Sequence, residues 1–292
     1  MTRTWRELLA LADSRLEHAG GVPGVGGSNE GRWLVERASG FEGSEFMLGL
    51  DEPASERAES FFLDMLDRRT AGEPLQYVLG RWGFRRLDLF IDKRVLIPRP
   101  ETEMVVQVAL AELQRASVGI ARPTAVDLGT GSGAIALSIA LEAPSTRVWA
   151  TDTSSGAIDV ARGNLAGLGT LAGTRVRIEH GSWFDPLPPT LQGHVHLVVA
   201  NPPYIADDEE LPTDVEAWEP REALRAGPTG LEHIELIVKE SRTWLAEGSA
   251  LVLELAPHQA MAAVRLAVEA GFPDVETRLD LSGRERMLVA RS

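Results

Sequence analysis

Val126-Asp127-Leu128-Gly129-Thr130-Gly131-Ser132-Gly133-Ala134-Ile135-Ala136 carries a strand-like apolar run into a helical one across three glycines. Glycine at these positions lets the backbone turn tightly and lets a ligand approach with no Cβ in the way. The free amides and positive end of the following helix then favour an anionic group, a phosphate or an amino-acid carboxylate. Asp152 closes the next apolar run, in the place where an acid accepts both hydroxyls of a ribose. A turn that merely permits close packing needs neither that strand context nor that acid.

Outward from the loop, strand and helix patterns alternate. Thr124–Leu128, Arg147–Thr151, Val176–His180, Val195–Ala200 and Ser249–Leu255 read as buried strands. Helical spacing falls at Ala134–Leu141, Ser155–Leu165, Glu232–Leu245 and His258–Ala270. This is the βαβ rhythm of an α/β, doubly wound, mostly parallel Rossmann-like sheet with helices on both faces. Val275–Leu279 and Arg286–Ala290 are expected to close it as an antiparallel edge. Upstream, Trp5, Leu8, Leu9, Leu11, Ala12 and Leu16 recur at helical spacing until Gly20-Gly21. A Gly-rich stretch follows, then a short helix around Trp33, Leu34 and Val35. A third helix is expected after Pro53, with Ser55 as N-cap and Phe61, Phe62, Met65 and Leu66 as its buried stripe. Between Tyr77 and Pro98 the period turns to alternation through Phe84, Leu87, Leu89, Ile91, Val95 and Ile97, and a β-hairpin turning near Asp92-Lys93 is expected. The division is thus a helical domain over 1–78, a hairpin linker over 79–98 and an α/β domain over 99–292.

Composition narrows the class. The 292 residues are 44% hydrophobic and 25% charged, the balance of a globular chain with a true core. A formal net charge of -14 repels a phosphate backbone, so direct nucleic-acid binding over a broad surface is not expected. With no cysteine, disulfides, thiolate zinc sites and Cys nucleophiles drop out. The histidines are few and show no metal-ligand spacing, so no metal is expected. The stretch from Met1 is amphipathic, with no apolar signal core, and no run is apolar enough to span a membrane. A cytoplasmic protein without membrane contact is the expectation.

The glycine loop alone leaves two cofactor classes open. Gly129, Gly131 and Ala134 also satisfy the looser dinucleotide pattern, so an NAD(P)-dependent oxidoreductase has to be weighed. Asp127 favours S-adenosylmethionine: a carboxylate there organises the loop or meets a methionine amino group, where dinucleotide loops carry an apolar residue.

The apolar run 195–200 ends in Asn201-Pro202-Pro203-Tyr204. Consecutive prolines have no N–H to give, so the chain leaves the sheet at its carboxyl edge, where ligands bind in open α/β folds. Asn201 offers an amide oxygen there and Pro202 a backbone carbonyl. Two converging acceptors suit an NH2 group with two hydrogens to donate. Tyr204 supplies a face on which a planar group lies. An amide nitrogen is a poor nucleophile because its lone pair is delocalised. Holding both N–H bonds aims that nitrogen at a methyl donor and favours the charge it gains, so positioning and electrostatics supply most of the rate. No general base is apparent, and solvent is the expected proton acceptor.

At this point the chain resembles the peptide chain release factor N5-glutamine methyltransferases. Four blocks carry the resemblance: Arg69-Thr-Ala-Gly-Glu-Pro-Leu-Gln-Tyr-Val-Leu-Gly80, Leu96-Ile-Pro-Arg-Pro-Glu-Thr-Glu103, the glycine loop with Asp152, and Asn201 to Tyr204 with Ile205. Ser182-Trp183-Phe184 and Asp280-Leu-Ser-Gly-Arg-Glu-Arg286 match further family positions, so the likeness runs from about Arg69 to the end. The resemblance implies a class I methyltransferase fold with S-adenosylmethionine as cofactor. It implies cofactor contacts from Asp127, Gly129, Thr130, Gly131, Ser132, Gly133, Asp152, Trp183 and Asn201, with Trp183 near the adenine. It implies that Asn201, Pro202, Pro203 and Tyr204 hold the substrate glutamine, with Asn201, Pro202 and Tyr204 as the catalytic set. That glutamine belongs to the Gly-Gly-Gln tip of class 1 release factors. The block 97–103 is expected to line the cofactor pocket while starting a helix, with Pro100 in its first turn and acids suiting the dipole.

Two related classes share Asn-Pro-Pro-Tyr. Nucleic-acid adenine-N6 methyltransferases need a basic groove and base-flipping machinery, and neither is apparent. Glutamine methyltransferases acting on a ribosomal protein are nearer, and Pro100-Glu-Thr-Glu103 favours the release-factor branch. The chain departs from the family early: Asn29-Glu-Gly-Arg-Trp-Leu34 stands where an acidic-aliphatic helix of the Asp-Ala-Glu-Leu-Leu kind is usual. The helical domain is expected to help dock the protein substrate. The acidic run Asp207-Asp-Glu-Glu210 is expected to steer a basic partner surface.

Overall fold

The computed structural model describes residues 3–27 and 29–292. The chain forms two compact units, one of Met1–Trp82 with Leu211–Trp218 and one of Gly83–Glu210 with Glu219–Ser292.

The first unit contains α1 (Trp5–His18), α2 (Glu30–Ser39), α3 (Ser44–Gly49), α4 (Glu56–Thr70) and α5 (Leu75–Leu79). Thr4 starts α1 through a reciprocal capping box with Glu7, and the Ser55 side chain accepts the Ala58 N–H to start α4. The expected stripe of α4 needs one correction. Phe62, Met65 and Leu66 are fully buried at i, i+3 and i+4, whereas Phe61 is 41% exposed. One residue is a turn of about 100°, which carries Phe61 off the core face. The helix at 44–49 was not foreseen, because six residues between glycines are too few to show a helical period. Arg69 and Glu30 form a buried ion pair at 2.8 and 2.9 Å, and Arg69 also donates to the carbonyls of Glu73 and Gly24. Those extra acceptors satisfy a guanidinium that burial alone would leave costly.

Two short strands, β1 (Trp82–Phe84) and β2 (Leu87–Leu89), pair in a small sheet. The hairpin turns at Arg85-Arg86, with Arg85 at φ 50°, and not at Asp92-Lys93. The Asp92 turn does exist: its side chain accepts the Arg94 N–H at 3.0 Å and its carbonyl accepts the Val95 N–H at 3.1 Å. No strand pairing flanks it. The Phe90 N–H and C=O are instead taken by the Asn164 side-chain amide, at 2.8 and 2.9 Å.

The second unit continues with α6 (Pro100–Ala116), β3 (Thr124–Leu128), α7 (Ala134–Glu142), β4 (Arg147–Asp152), α8 (Ser155–Gly167), α9 (Thr170–Gly173), β5 (Val176–His180), β6 (Val195–Ala200) and β7 (Ile205–Ala206). After α10 (Thr213–Trp218), which belongs to the first unit, come β8 (Arg225–Gly227), α11 (Glu232–Trp244), β9 (Leu245–Glu254), α12 (Ala260–Glu269), β10 (Asp274–Leu279) and β11 (Glu285–Arg291). The main sheet has seven strands in the order β10-β11-β9-β6-β3-β4-β5. Pairing is parallel from β9 through β5, and β11 runs antiparallel to both β9 and β10. The expected doubly wound sheet with an antiparallel edge is therefore present, with α6, α7, α8, α11 and α12 packed against it.

This order places the site. From β3 the chain builds outward through β4 and β5, then returns to lay β6 on the other side of β3. The carboxyl ends of β3 and β6 thus flank the switch point, where open α/β sheets bind ligands. β3 ends in the glycine loop and β6 in Asn201. Beneath them the core holds Val126, Leu128, Val198, Ala200, Leu251 and Leu253, with the Phe184 and Trp244 rings stacked 5.5 Å apart at 11°. Among the described residues, no helix is long and apolar enough to cross a membrane.

Candidate active site

The three loop glycines all take left-handed backbone, at φ 70°, 55° and 85° for Gly129, Gly131 and Gly133. Their demands differ. A Cβ on Gly129 would sit 3.3 Å from the Trp183 ring, and one on Gly133 would sit 3.0 Å from Leu137 Cδ1. At Gly131 the space is open, so conformation alone asks for glycine. Gly133→Ala should lower unfolding stability by about 1–3 kcal/mol, the cost of a side chain held in this region. Chemical denaturation of the unliganded protein checks this, and a midpoint equal to wild type would refute it.

The loop is tied down on both sides. Gly129 and Thr130 donate their N–H groups to the Thr151 carbonyl, both at 2.9 Å. Gly131 donates to Asp152 Oδ2 at 2.9 Å, and Asp152 Oδ1 accepts the Ser154 N–H at 2.9 Å. Burial pushes the Asp152 carboxyl upward, and these two N–H donors pull it back. Asp127 sits behind the loop, 1% exposed. Its Oδ2 accepts the Thr130 hydroxyl at 2.6 Å and the Ala136 N–H at 3.1 Å. Its Oδ1 is buried with no hydrogen-bond partner. Burial pushes this carboxyl up to about 7.

These groups border a cavity of about 360 Å³, within the range of small-ligand pockets. Gly129, Thr130, Gly131, Ser132, Asp152, Trp183, Asn201 and Pro203 all line it. Asp127, Gly133, Pro202 and Tyr204 do not. Asp127 and Gly133 shape the loop from behind, and Pro202 is buried. Trp183 stands at φ 40°, an unusual backbone for an aromatic residue, and the Thr151 hydroxyl donates to its carbonyl at 2.7 Å. Its ring lies 5.1 Å from His233, centroid to centroid, tilted by 56°. Burial holds the His233 imidazole below its ordinary pKa, so a neutral ring faces the cavity.

The residues fit a sulfonium nucleoside. An acid stands at the end of β4, an indole borders the cavity, glycine backbone without Cβ lines it, and a buried carboxylate oxygen behind the loop lacks a partner. The loop amides expected to be free are instead donated to Thr151, Asp152 and Thr130. Among the described residues, no group of three or more His, Cys, Asp or Glu side chains forms a potential metal site.

At the β6 end, Asn201 Nδ2 donates to Thr102 Oγ1 at 3.2 Å, and Thr102 Oγ1 donates to Glu254 Oε2 at 2.7 Å. The Tyr204 hydroxyl turns toward Glu254 Oε1, 3.4 Å away. Gln259 Nε2 donates to the Tyr204 carbonyl at 2.8 Å and to the Gly230 carbonyl at 3.0 Å, pinning the turn after the prolines. Burial pushes the Glu254 carboxyl up to about 7 and raises the Tyr204 phenol above its usual range. Arg225 Nη1 donates to the carbonyls of Ala206, Asp207 and Glu209, so the acidic loop is anchored by its backbone. Asp207, Asp208 and Glu210 are exposed.

Several site-forming residues escaped the sequence reading. Glu219 is buried beside the cavity: one oxygen pairs with Arg99 and the other accepts the Ile97 N–H at 3.1 Å, fixing the 97–99 segment. Glu254 had a legible signal, a lone carboxylate at the carboxyl end of the apolar run 250–255. Glu219, His233 and Gln259 had none, because only the fold brings them to the site.

The chain matches two family models, one described as the PrmC N-terminal domain over residues 7–80 and one as the methyltransferase small domain over residues 106–218. It is 43% identical over 260 residues to the release factor glutamine methyltransferase of Burkholderia pseudomallei, across 88% of this chain and 89% of that one. It is 38% identical over 289 residues to the protein of the same name in Deinococcus radiodurans, across 98% of both. Among solved structures, the catalytic domain of hMettl16 aligns with a TM-score of 0.55 at 18% identity, over 78% of this chain and 80% of that one. That likeness concerns the fold alone.

Proposed function

Because the chain belongs to the release factor glutamine methyltransferase family, we propose that it methylates the side-chain amide nitrogen (N5) of the Gly-Gly-Gln glutamine in class 1 peptide chain release factors, using S-adenosylmethionine. The chain is a methyltransferase. The observation that carries the finer reading is the Asn201 amide at the cavity wall, with its Nδ2 edge committed to Thr102. That commitment leaves the Oδ1 edge for a donor NH2 group.

In this reading Asp152 holds the ribose hydroxyls and Trp183 borders the adenine. The glycine loop, its Gly129, Thr130, Gly131 and Gly133 N–H groups committed within the protein, lets the methionine end approach its bare backbone. The buried Asp127 carboxyl supports the loop from behind through Thr130 and Ala136. When bound, S-adenosylmethionine supplies an electrophilic methyl on a sulfonium centre. Asn201 Oδ1 and the Pro202 carbonyl orient the glutamine NH2 and favour the positive charge that grows on its nitrogen. Pro203 stiffens the turn and Tyr204 walls the substrate side. An N-methylated amide still carrying its extra proton is a strong acid, so it loses that proton to water without a dedicated base. The exposed acids at 207–210 would steer a basic partner surface, and work in the cytoplasm suits a translation substrate.

The test is transfer of label from S-adenosylmethionine to a class 1 release factor, run beside a release factor whose Gly-Gly-Gln glutamine is replaced by alanine. Label on the first alone is expected. Label on both, or on neither, would overturn the reading.

A further inference from the structure

Glu254 is buried in the α/β unit, 1% exposed at the carboxyl end of β9, and no step above uses it. Both its oxygens are engaged near the β6 turn: Oε2 accepts the Thr102 hydroxyl at 2.7 Å, and Oε1 faces the Tyr204 hydroxyl at 3.4 Å. An ionised carboxylate only accepts hydrogen bonds. The single Thr102 hydrogen is therefore committed to Glu254, and Thr102 can present only lone pairs to Asn201. A lone pair admits only the NH2 edge of an amide, the edge observed there at 3.2 Å. An asparagine amide has two nearly isosteric edges, so something must choose between them.

We infer that Glu254 is a positioning residue which, through Thr102, fixes the Asn201 amide with Oδ1 toward the methyl-accepting nitrogen. The inference rests on the role given to Asn201 above. A polar relay that is fully satisfied specifies one arrangement, and it loses that specificity when one member can both donate and accept. Once Glu254 carries a proton, or is replaced by an amide, Thr102 is free to turn its hydrogen toward Asn201, and both edges are admitted. The charged and titratable groups facing Glu254 are Arg286 from β11, Glu101 from α6 and Tyr204 from the β6 turn. Arg286 favours the ionised form, Glu101 opposes it, and the Tyr204 hydroxyl donates to it. Burial outweighs them and leaves the group titrating near neutrality.

Thr102→Val keeps the volume and removes the relay, whereas Thr102→Ser keeps the hydroxyl. With Thr102→Val, kcat for release-factor methylation should fall by about 10-fold or more, while KM and the Kd for S-adenosylmethionine stay within about 3-fold. Thr102→Ser should recover most of kcat. A Thr102→Val enzyme turning over at the wild-type rate, or a Thr102→Ser enzyme as slow as Thr102→Val, would overturn the inference. A second readout needs no activity. The Asn201 side-chain NH2 resonances should follow one ionisation between about pH 5 and 9 in wild type, and should be flat in Glu254→Gln. Flat resonances in wild type would sink the relay even if Thr102→Val fails to fold. Should wild type methylate no release factor, the functional reading fails, and the NMR titration still decides the relay.

Discussion

Asn201→Ala is expected to lower kcat by roughly 10²–10³-fold, the usual loss when one preorganised polar contact to a developing charge is removed. The side chain does two things at once. Its Nδ2 edge anchors to Thr102, and in the proposed reading its Oδ1 edge serves the substrate amide at the cavity that Gly129, Asp152 and Trp183 also line. Alanine keeps the strand end and the two prolines, so the loss falls on orientation and charge rather than on folding. Cofactor affinity should drop by less than about 10-fold, since a single neutral hydrogen bond nets only about 0.5–1.5 kcal/mol. Single-turnover kinetics at saturating substrate, beside calorimetric cofactor binding, separates these effects. A raised KM with unchanged kcat would mean that Asn201 binds the ground state and the transition state alike.

The other large effect is expected at Asp152. Asp152→Ala should raise the Kd for S-adenosylmethionine by roughly 10²-fold, because each hydrogen bond to a charged group contributes about 1.5–3 kcal/mol and a ribose offers two hydroxyls. Part of that loss is indirect. Asp152 also accepts the Gly131 and Ser154 N–H groups, so alanine leaves two backbone donors without their acceptor and loosens the loop. Asp152→Asn separates the contributions: an amide oxygen can keep one backbone bond while the charge is gone. Calorimetric Kd values for both variants, with the unfolding midpoint of each unliganded protein, apportion them. A Kd within 3-fold of wild type for Asp152→Ala would exclude the ribose role.

The sheet was the most legible part of the chain. β3 and β6 fall where the apolar runs place them, because buried parallel strands are short, continuous and sharply ended by glycine or proline. β5, read as buried, is instead a half-exposed edge strand marked only by the alternation of Val176 and Ile178. β9 begins earlier than read, at Leu245. Its first pair, Val195 with Leu245, precedes an irregularity, and pairing resumes only at Leu197 with Ala250. The polar residues between them look like a turn in sequence, and only the neighbouring strand shows that they are not its end. The hairpin turn was misplaced for a similar reason. Asp92-Lys93 is a true turn, but the backbone before it is satisfied by Asn164, a residue whose proximity no local pattern reveals.

The site divides along the same line. The glycine loop, Asp152, Trp183 and Asn201 lie in contiguous motifs and could be named from them. Glu219, Glu254, His233 and Gln259 act over sequence separations that only the topology closes. Thr102 stood inside a quoted motif without a role, since its meaning depends on Glu254 152 residues away.

The first unit is assembled from two separated stretches, 1–82 and 211–218. On the ribosome, where a domain usually folds as soon as its last residue emerges, this has a consequence of timing. Eighty-two residues of nascent chain do not complete the helical unit. Its core, from Trp5 to Leu79, is already present, and α10, which buries no residue, joins only after β3 through β6 and the Asn201 turn have been made. The segment then returns directly to Glu219, the clamp on Ile97 and Arg99. Removing the first 82 residues therefore leaves α10 without the helices it clusters with, a few residues along the chain from segments that line the cavity.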